Sequence, residues 1–138
     1  MSSDFEALKR LAEEGDDEAA AELAGVAADM GDTETLRLLV DQGYEEAASR
    51  LAELAAEDGD VATLRTLVDA GSEDAADALM ELALASGDEQ TLDFLVDSGH
   101  EATADRWAEL AAQRGDTDLL QRLADDGSEV AERLLGDA

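Results

Sequence analysis

A chain of 138 residues has the length of one ordinary domain, and the absence of cysteine excludes disulfides, thiolate nucleophiles and thiolate metal sites. Nine basic residues against 37 acidic ones leave a net charge of −28, with no basic patch to engage nucleic-acid phosphates or an anionic membrane surface. Apolar residues make up 45 % but aromatics only 3 %, and proline is missing; alanine, leucine, glutamate and arginine in such a mixture favour helix nearly throughout.

In chain order the pattern predicts short helices near 5–14, 32–42, 60–70, 88–98 and 116–126. Longer ones alternate with them near 17–29, 45–57, 73–85, 101–113 and 129–135. The alternation rests on a 28-residue repeat spanning 1–138 as one helical-repeat domain. Gly15, Gly43, Gly71, Gly99 and Gly127 share one column. Gly31, Gly59, Gly87 and Gly115 share another, where Ser3 stands at the first position. Asp4, Asp32, Asp60, Asp88 and Asp116 follow directly, each placed to cap a short helix. Two leucine columns, Leu8 to Leu120 and Leu11 to Leu123, line one face of that helix. The next glycine closes it. On the longer helices Ala47, Ala48, Leu51, Leu54 and Ala55, with their counterparts, form a wide inward stripe. Helices this short are marginal alone, so their stability must come from stacking on neighbours. The expected architecture is all-α: an α-solenoid of five antiparallel helix pairs. Its last helix places Glu132 and Gly136 in columns filled internally by small or apolar residues, as an end facing water would.

The run from Leu54 to Gly71, Leu-Ala-Ala-Glu-Asp-Gly-Asp-Val-Ala-Thr-Leu-Arg-Thr-Leu-Val-Asp-Ala-Gly, resembles the second half of an ankyrin repeat. Leu82 to Gly99 and Leu110 to Gly127 carry the same pattern with local changes. Ankyrin repeats are about 33 residues long and contain a Thr-Pro-Leu-His segment, absent here. The roughly five missing residues belong where that family forms its β-hairpin finger. The resemblance implies a finger-less array acting as a protein-binding module without catalysis of its own.

Catalytic constellations are not expected. The one histidine, His100, shares a column with Asp16, Tyr44, Ser72 and Ser128 at the start of the long helix, where a polar residue is ordinarily a cap. Asp16-Asp17-Glu18 and Asp125-Asp126 read as solvated acidic surface, since carboxylates alone lack the ligand spacing of a calcium loop. Arg114-Gly115-Asp116 is the turn and cap of every internal repeat. No cofactor and no metal is predicted.

Recognition is expected on the outward positions of the long helices, which the scaffold does not constrain. These are Glu46, Ser49, Arg50 and Glu53; Asp74, Asp77, Ala78 and Glu81; and Ala102, Asp105, Arg106 and Glu109. Packing would set successive rows about 10 Å apart as one ladder. A solvated face carrying local ion pairs, such as Arg50 to Glu53 or Arg106 to Glu109, is the competing reading. Phe94 and Leu38 share a column away from the leucine stripe, a possible adhesive spot, and Trp107 replaces leucine at an inward position.

The functional expectation is a protein–protein interaction scaffold that binds an unknown protein partner as a monomer; the alternative is a charge-based binder or decoy for basic proteins. The acid excess with a single lysine resembles the composition of proteins from salt-accumulating organisms, where molar salt cuts the screening length to roughly 3 Å. A disordered acidic chain is the competing reading of the charge, against which the leucine periodicity argues. The start, Met-Ser-Ser-Asp-Phe-Glu, is polar and acidic, so a cytoplasmic location is expected.

Overall fold

The computed structural model describes residues 2–136, with the side chains of residues 2 and 3 outside that description. Every regular element among them is an α-helix. In order these are α1 (Ser2–Glu13), α2 (Asp17–Met30), α3 (Thr33–Asp41), α4 (Glu45–Asp58), α5 (Val61–Asp69), α6 (Glu73–Ser86), α7 (Glu89–Asp97), α8 (Glu101–Arg114), α9 (Thr117–Asp125) and α10 (Glu129–Gly136). Nine-residue and fourteen-residue helices alternate from α2 to α9.

The joints explain the alternation. A long helix ends on a left-handed glycine whose successor is the aspartate that starts the next helix. At Gly59, φ is +65°, a conformation that favours glycine over any residue with a Cβ. The Asp60 amide then reaches back to the Ala55 carbonyl at 2.8 Å. Meanwhile Asp60 Oδ1 accepts from the Thr63 amide at 3.1 Å. One two-residue joint thus satisfies groups at the end of one helix and the start of the next. Asp32, Asp88 and Asp116 accept in the same way from Thr35, Thr91 and Leu119. Asp4 differs: it lies in the first turn of α1, which begins at Ser2.

Short helices pass to long ones through a residue, a glycine and a cap. After α3 the Tyr44 amide bonds the Leu39 carbonyl at 3.1 Å and the Gly43 amide bonds Val40 at 2.9 Å. That pairing closes the helix with its glycine at φ +94°.

The chain forms two compact units, Met1–Ala78 and Leu79–Ala138, and the division falls inside α6. In the first unit α2 packs on α1, α3 and α4, and α4 also packs on α3 and α5. Leu36, Leu39, Leu64 and Leu67 are buried there beside the alanines of α2 and α4. In the second, α8 packs on α7, α9 and α10. Trp107 anchors its core, with Leu92, Leu120, Leu123, Ala108 and Ala111 around it. Helix pairs that pack on their neighbours in the chain are what the repeat requires.

The buried stripes differ in detail from the periodic expectation. On the long helices Ala52, Met80 and Ala108 are buried, whereas Leu54, Leu82 and Leu110 are only half-buried. A fourteen-residue helix rotates its stripe toward the Ala48 and Ala52 side, leaving Leu54 at the edge. Leu11 is 41 % exposed although Leu39, in the same column, is 2 % exposed. The difference follows from coverage: α3 has both α2 and α4 against it, while α1 has α2.

Candidate functional site

Of the twelve positions expected to face outward on the long helices, eight are exposed and four half-buried. Glu46, Glu53, Asp74 and Asp77 are exposed in the first unit, with Ser49, Arg50 and Ala78 half-buried. In the second, Glu81, Ala102, Arg106 and Glu109 are exposed and Asp105 is half-buried. Several are joined to one another. Ser49 Oγ donates to Asp74 Oδ2 at 2.9 Å, linking α4 to α6. Arg106 Nη1 donates to Glu81 Oε1 at 3.0 Å, linking α8 to α6.

The local pairs expected from the sequence are replaced by others. Arg50 lies 3.4 Å from Glu46, not paired with Glu53, and Arg106 pairs with Glu81 rather than Glu109. Helical side chains lean toward the N-terminus. An arginine therefore reaches a carboxylate behind it, or on the preceding long helix, more readily than one three residues ahead.

In the second unit these residues rim a shallow groove between α6 and α8 of about 350 Å³. Half-buried Leu84 and Leu110 and exposed Ala85 form its apolar lining, and Glu81, Arg106, Glu109 and Gln113 its polar lining. Neither the half-buried leucines nor the groove is visible in a reading that assigns Leu110 to the core. The signal was present as Leu84 and Ala85, where the other copies carry alanine followed by a polar residue.

A second kind of groove lies at the turns leading into the long helices. One, of about 380 Å³, is lined by Tyr44, Glu45, Ser49, Glu73 and Asp74 among others. Its counterpart two repeats on, of about 450 Å³, is lined by His100, Glu101, Asp105, Asp126 and Glu129. Neither lining contains lysine or arginine.

The cap column splits by chemistry. Asp16, Ser72 and Ser128 accept from the amides of Ala19, Ala75 and Ala131. Tyr44 is too long to cap its own helix; its hydroxyl donates to the Ala12 carbonyl at 2.9 Å. His100 makes no side-chain cap, and its Nδ1 shares a 2.6 Å hydrogen bond with Thr103 Oγ1.

The strongest polar arrangement lies on the short helices. Thr63 Oγ1 donates to Asp60 Oδ2 at 2.6 Å and accepts from Arg37 Nη2 at 2.6 Å. Arg37 also stands 4.0 Å from the Asp60 carboxylate. The hydrogen bonds from Thr63, chiefly its hydroxyl, hold the Asp60 carboxyl below the ordinary aspartate value, with a smaller contribution from Arg37. Arg122 donates to Asp93 Oδ1 at 2.9 Å and lies 5.0 Å above the Trp107 ring, a cation–π contact. Trp107 itself is core, while Leu38 is 47 % exposed and Phe94 half-buried.

Among the described residues no group of three or more His, Asp or Glu side chains is placed to hold a metal ion. No helix among them is long and apolar enough to cross a membrane. No protein-family model, curated protein or solved structure matches the chain.

Proposed function

We propose that the protein is a non-catalytic interaction scaffold that binds a protein partner, as a monomer, through the exposed face of its long helices. The observation that carries this reading is the groove between α6 and α8. Its leucine lining and its polar lining of Glu81, Arg106 and Glu109 combine apolar and polar surface, as a protein-binding surface does. The repeated pairs are read as ankyrin-like without fingers, on the strength of the Leu-Ala-Ala and Gly-turn pattern and of joints only two or three residues long. Composition supports a cytoplasmic setting in a salt-accumulating cell.

The test begins with affinity capture from a high-salt lysate and identification of the captured protein by mass spectrometry. Replacing Arg50, Asp77 and Arg106 by alanine is expected to abolish capture while circular dichroism stays unchanged. Retention of the same partner by this variant would refute the long-helix face as the binding surface.

A second reading, a charge-based binder of basic proteins, is favoured by the two carboxylate-lined grooves that lack any lysine or arginine. It predicts capture of many unrelated basic proteins at low salt and none at molar salt. The scaffold reading predicts one partner that survives molar salt.

A further inference from the structure

The second unit's groove differs in composition from the other copies, and one side of its Leu84 also packs against the core around Trp107. At its two central columns α2 carries Ala28 and Asp29, α4 carries Ala56 and Glu57, and α8 carries Ala112 and Gln113. In α6 the same columns hold Leu84 and Ala85. The small residue has become large, and the polar one has lost its polar group. Ala85 is exposed and Leu84 only half-buried, so the exchange places added apolar surface at the solvent boundary. In a chain with 37 acidic residues, this is the copy that removes polarity from the column.

Charge around the groove points to the occupant. Arg106 is engaged by Glu81 at 3.0 Å. Glu109, exposed and also lining the groove, has no hydrogen bond or ion pair among the described residues. Seating an apolar side chain against Leu84 and Leu110 would bring the partner's neighbouring residues beside that carboxylate. A basic neighbour is favoured there and an acidic one repelled, and the net charge of −28 biases the same way.

We infer that the α6–α8 groove is an anchor site for a peptide segment of a partner protein, presenting a leucine-sized apolar side chain next to an arginine or lysine. The inference rests on the long-helix reading above and narrows it to one copy of the repeat. Leu84, Ala85 and Leu110 take the apolar side chain. Glu109 meets the basic residue. The Arg106–Glu81 pair closes one wall and fixes its position.

The probe is a displayed library of random short peptides, selected on the full chain. Enriched peptides are expected to pair a leucine, isoleucine or methionine with arginine or lysine within a few positions. The decisive variant, Leu84→Ala with Ala85→Glu, installs the residues α4 already carries at these columns, so the helix is kept. It is expected to weaken the Kd of the enriched peptides about tenfold, the size of a lost apolar anchor. Glu109→Gln is expected to weaken the peptides bearing arginine or lysine and to spare versions with that residue replaced by glutamine. Circular dichroism controls for folding. Enrichment of peptides lacking the apolar–basic pair, no enrichment at all, or unchanged affinity in the Leu84→Ala, Ala85→Glu variant would each overturn the anchor site. If peptides that ignore this variant are lost in Glu46→Ala with Arg50→Ala, the long-helix face survives and the groove alone fails. If neither variant matters, both readings fall.

Discussion

Asp60 caps its short helix with the same two hydrogen bonds that Asp32 and Asp88 make, and Arg37 stands 4.0 Å from its carboxylate. Its carboxylate accepts from the amide and the hydroxyl of Thr63, and that hydroxyl in turn accepts from Arg37 on the preceding short helix. Asp116 makes only the single bond to the Leu119 amide, because leucine replaces threonine in that copy. An alanine at either position removes a cap, at a cost of about 1 kcal/mol. Asp60→Ala also strands the Thr63–Arg37 pair, so denaturant titration should place it below Asp116→Ala. The same carboxylate carries a pH signature. Its folded-state value lies below the ordinary one, so its contribution is complete above an unfolded value of about 3.9 and disappears as pH falls through the lowered folded value. The stability difference between the wild type and Asp60→Asn should therefore be constant above about pH 5 and shrink below about pH 4. A difference that grows on acidification would contradict the hydrogen bonding described for this group.

At the level of the helices, spacing and capping chemistry were legible because each rests on local physics. The aspartates accept from the amides three residues on, and the glycines adopt positive φ. What spacing could not supply was how far each stripe turns. Thr35, Thr63 and Thr91 are buried, a surprise for a polar residue. The first aspartate oxygen holds the amide and the second takes the hydroxyl, which leaves the threonine methyl free to face the core. Leu54, Leu82 and Leu110 lie at the edge of the stripe for the geometric reason given above. The candidate groove escaped the sequence reading for that same reason. Most residues of the outward rows are exposed, but the ion pair of Arg106 was not legible, because its reach depends on a neighbouring helix whose distance no single-helix pattern contains. Trp107 tests the packing directly. Trp107→Leu restores the residue of the sibling copies and is expected to cost less than about 1.5 kcal/mol, whereas Trp107→Ala is expected to cost about 3–5 kcal/mol. Thermal melts followed by circular dichroism separate the two. Equal losses would mean that Arg122 stacking, rather than volume, sets the requirement at this site.

For the whole chain, charge dominates. Thirty-seven carboxylates face nine basic groups, and several of those are already spent on pairs between successive helices, as Arg37, Arg106 and Arg122 are. Screening at 0.1 M salt extends about 10 Å, comparable with the spacing of packed helices, and at 1 M only about 3 Å. The melting temperature should therefore rise with sodium chloride across that range, mainly through relief of repulsion. A melting temperature that is flat or falls with salt would show that the ion pairs outweigh the repulsion. One further property follows from the shortness of the joints. All nine lysine and arginine residues lie within helices, from Lys9 and Arg10 in α1 to Arg133 in α10. Trypsin needs an extended backbone in its cleft, so it has no ready-made target here and must wait for a helix to open. The rate of tryptic digestion thus becomes a meter of local opening, residue by residue, and adding salt should slow it in step with the gain in stability.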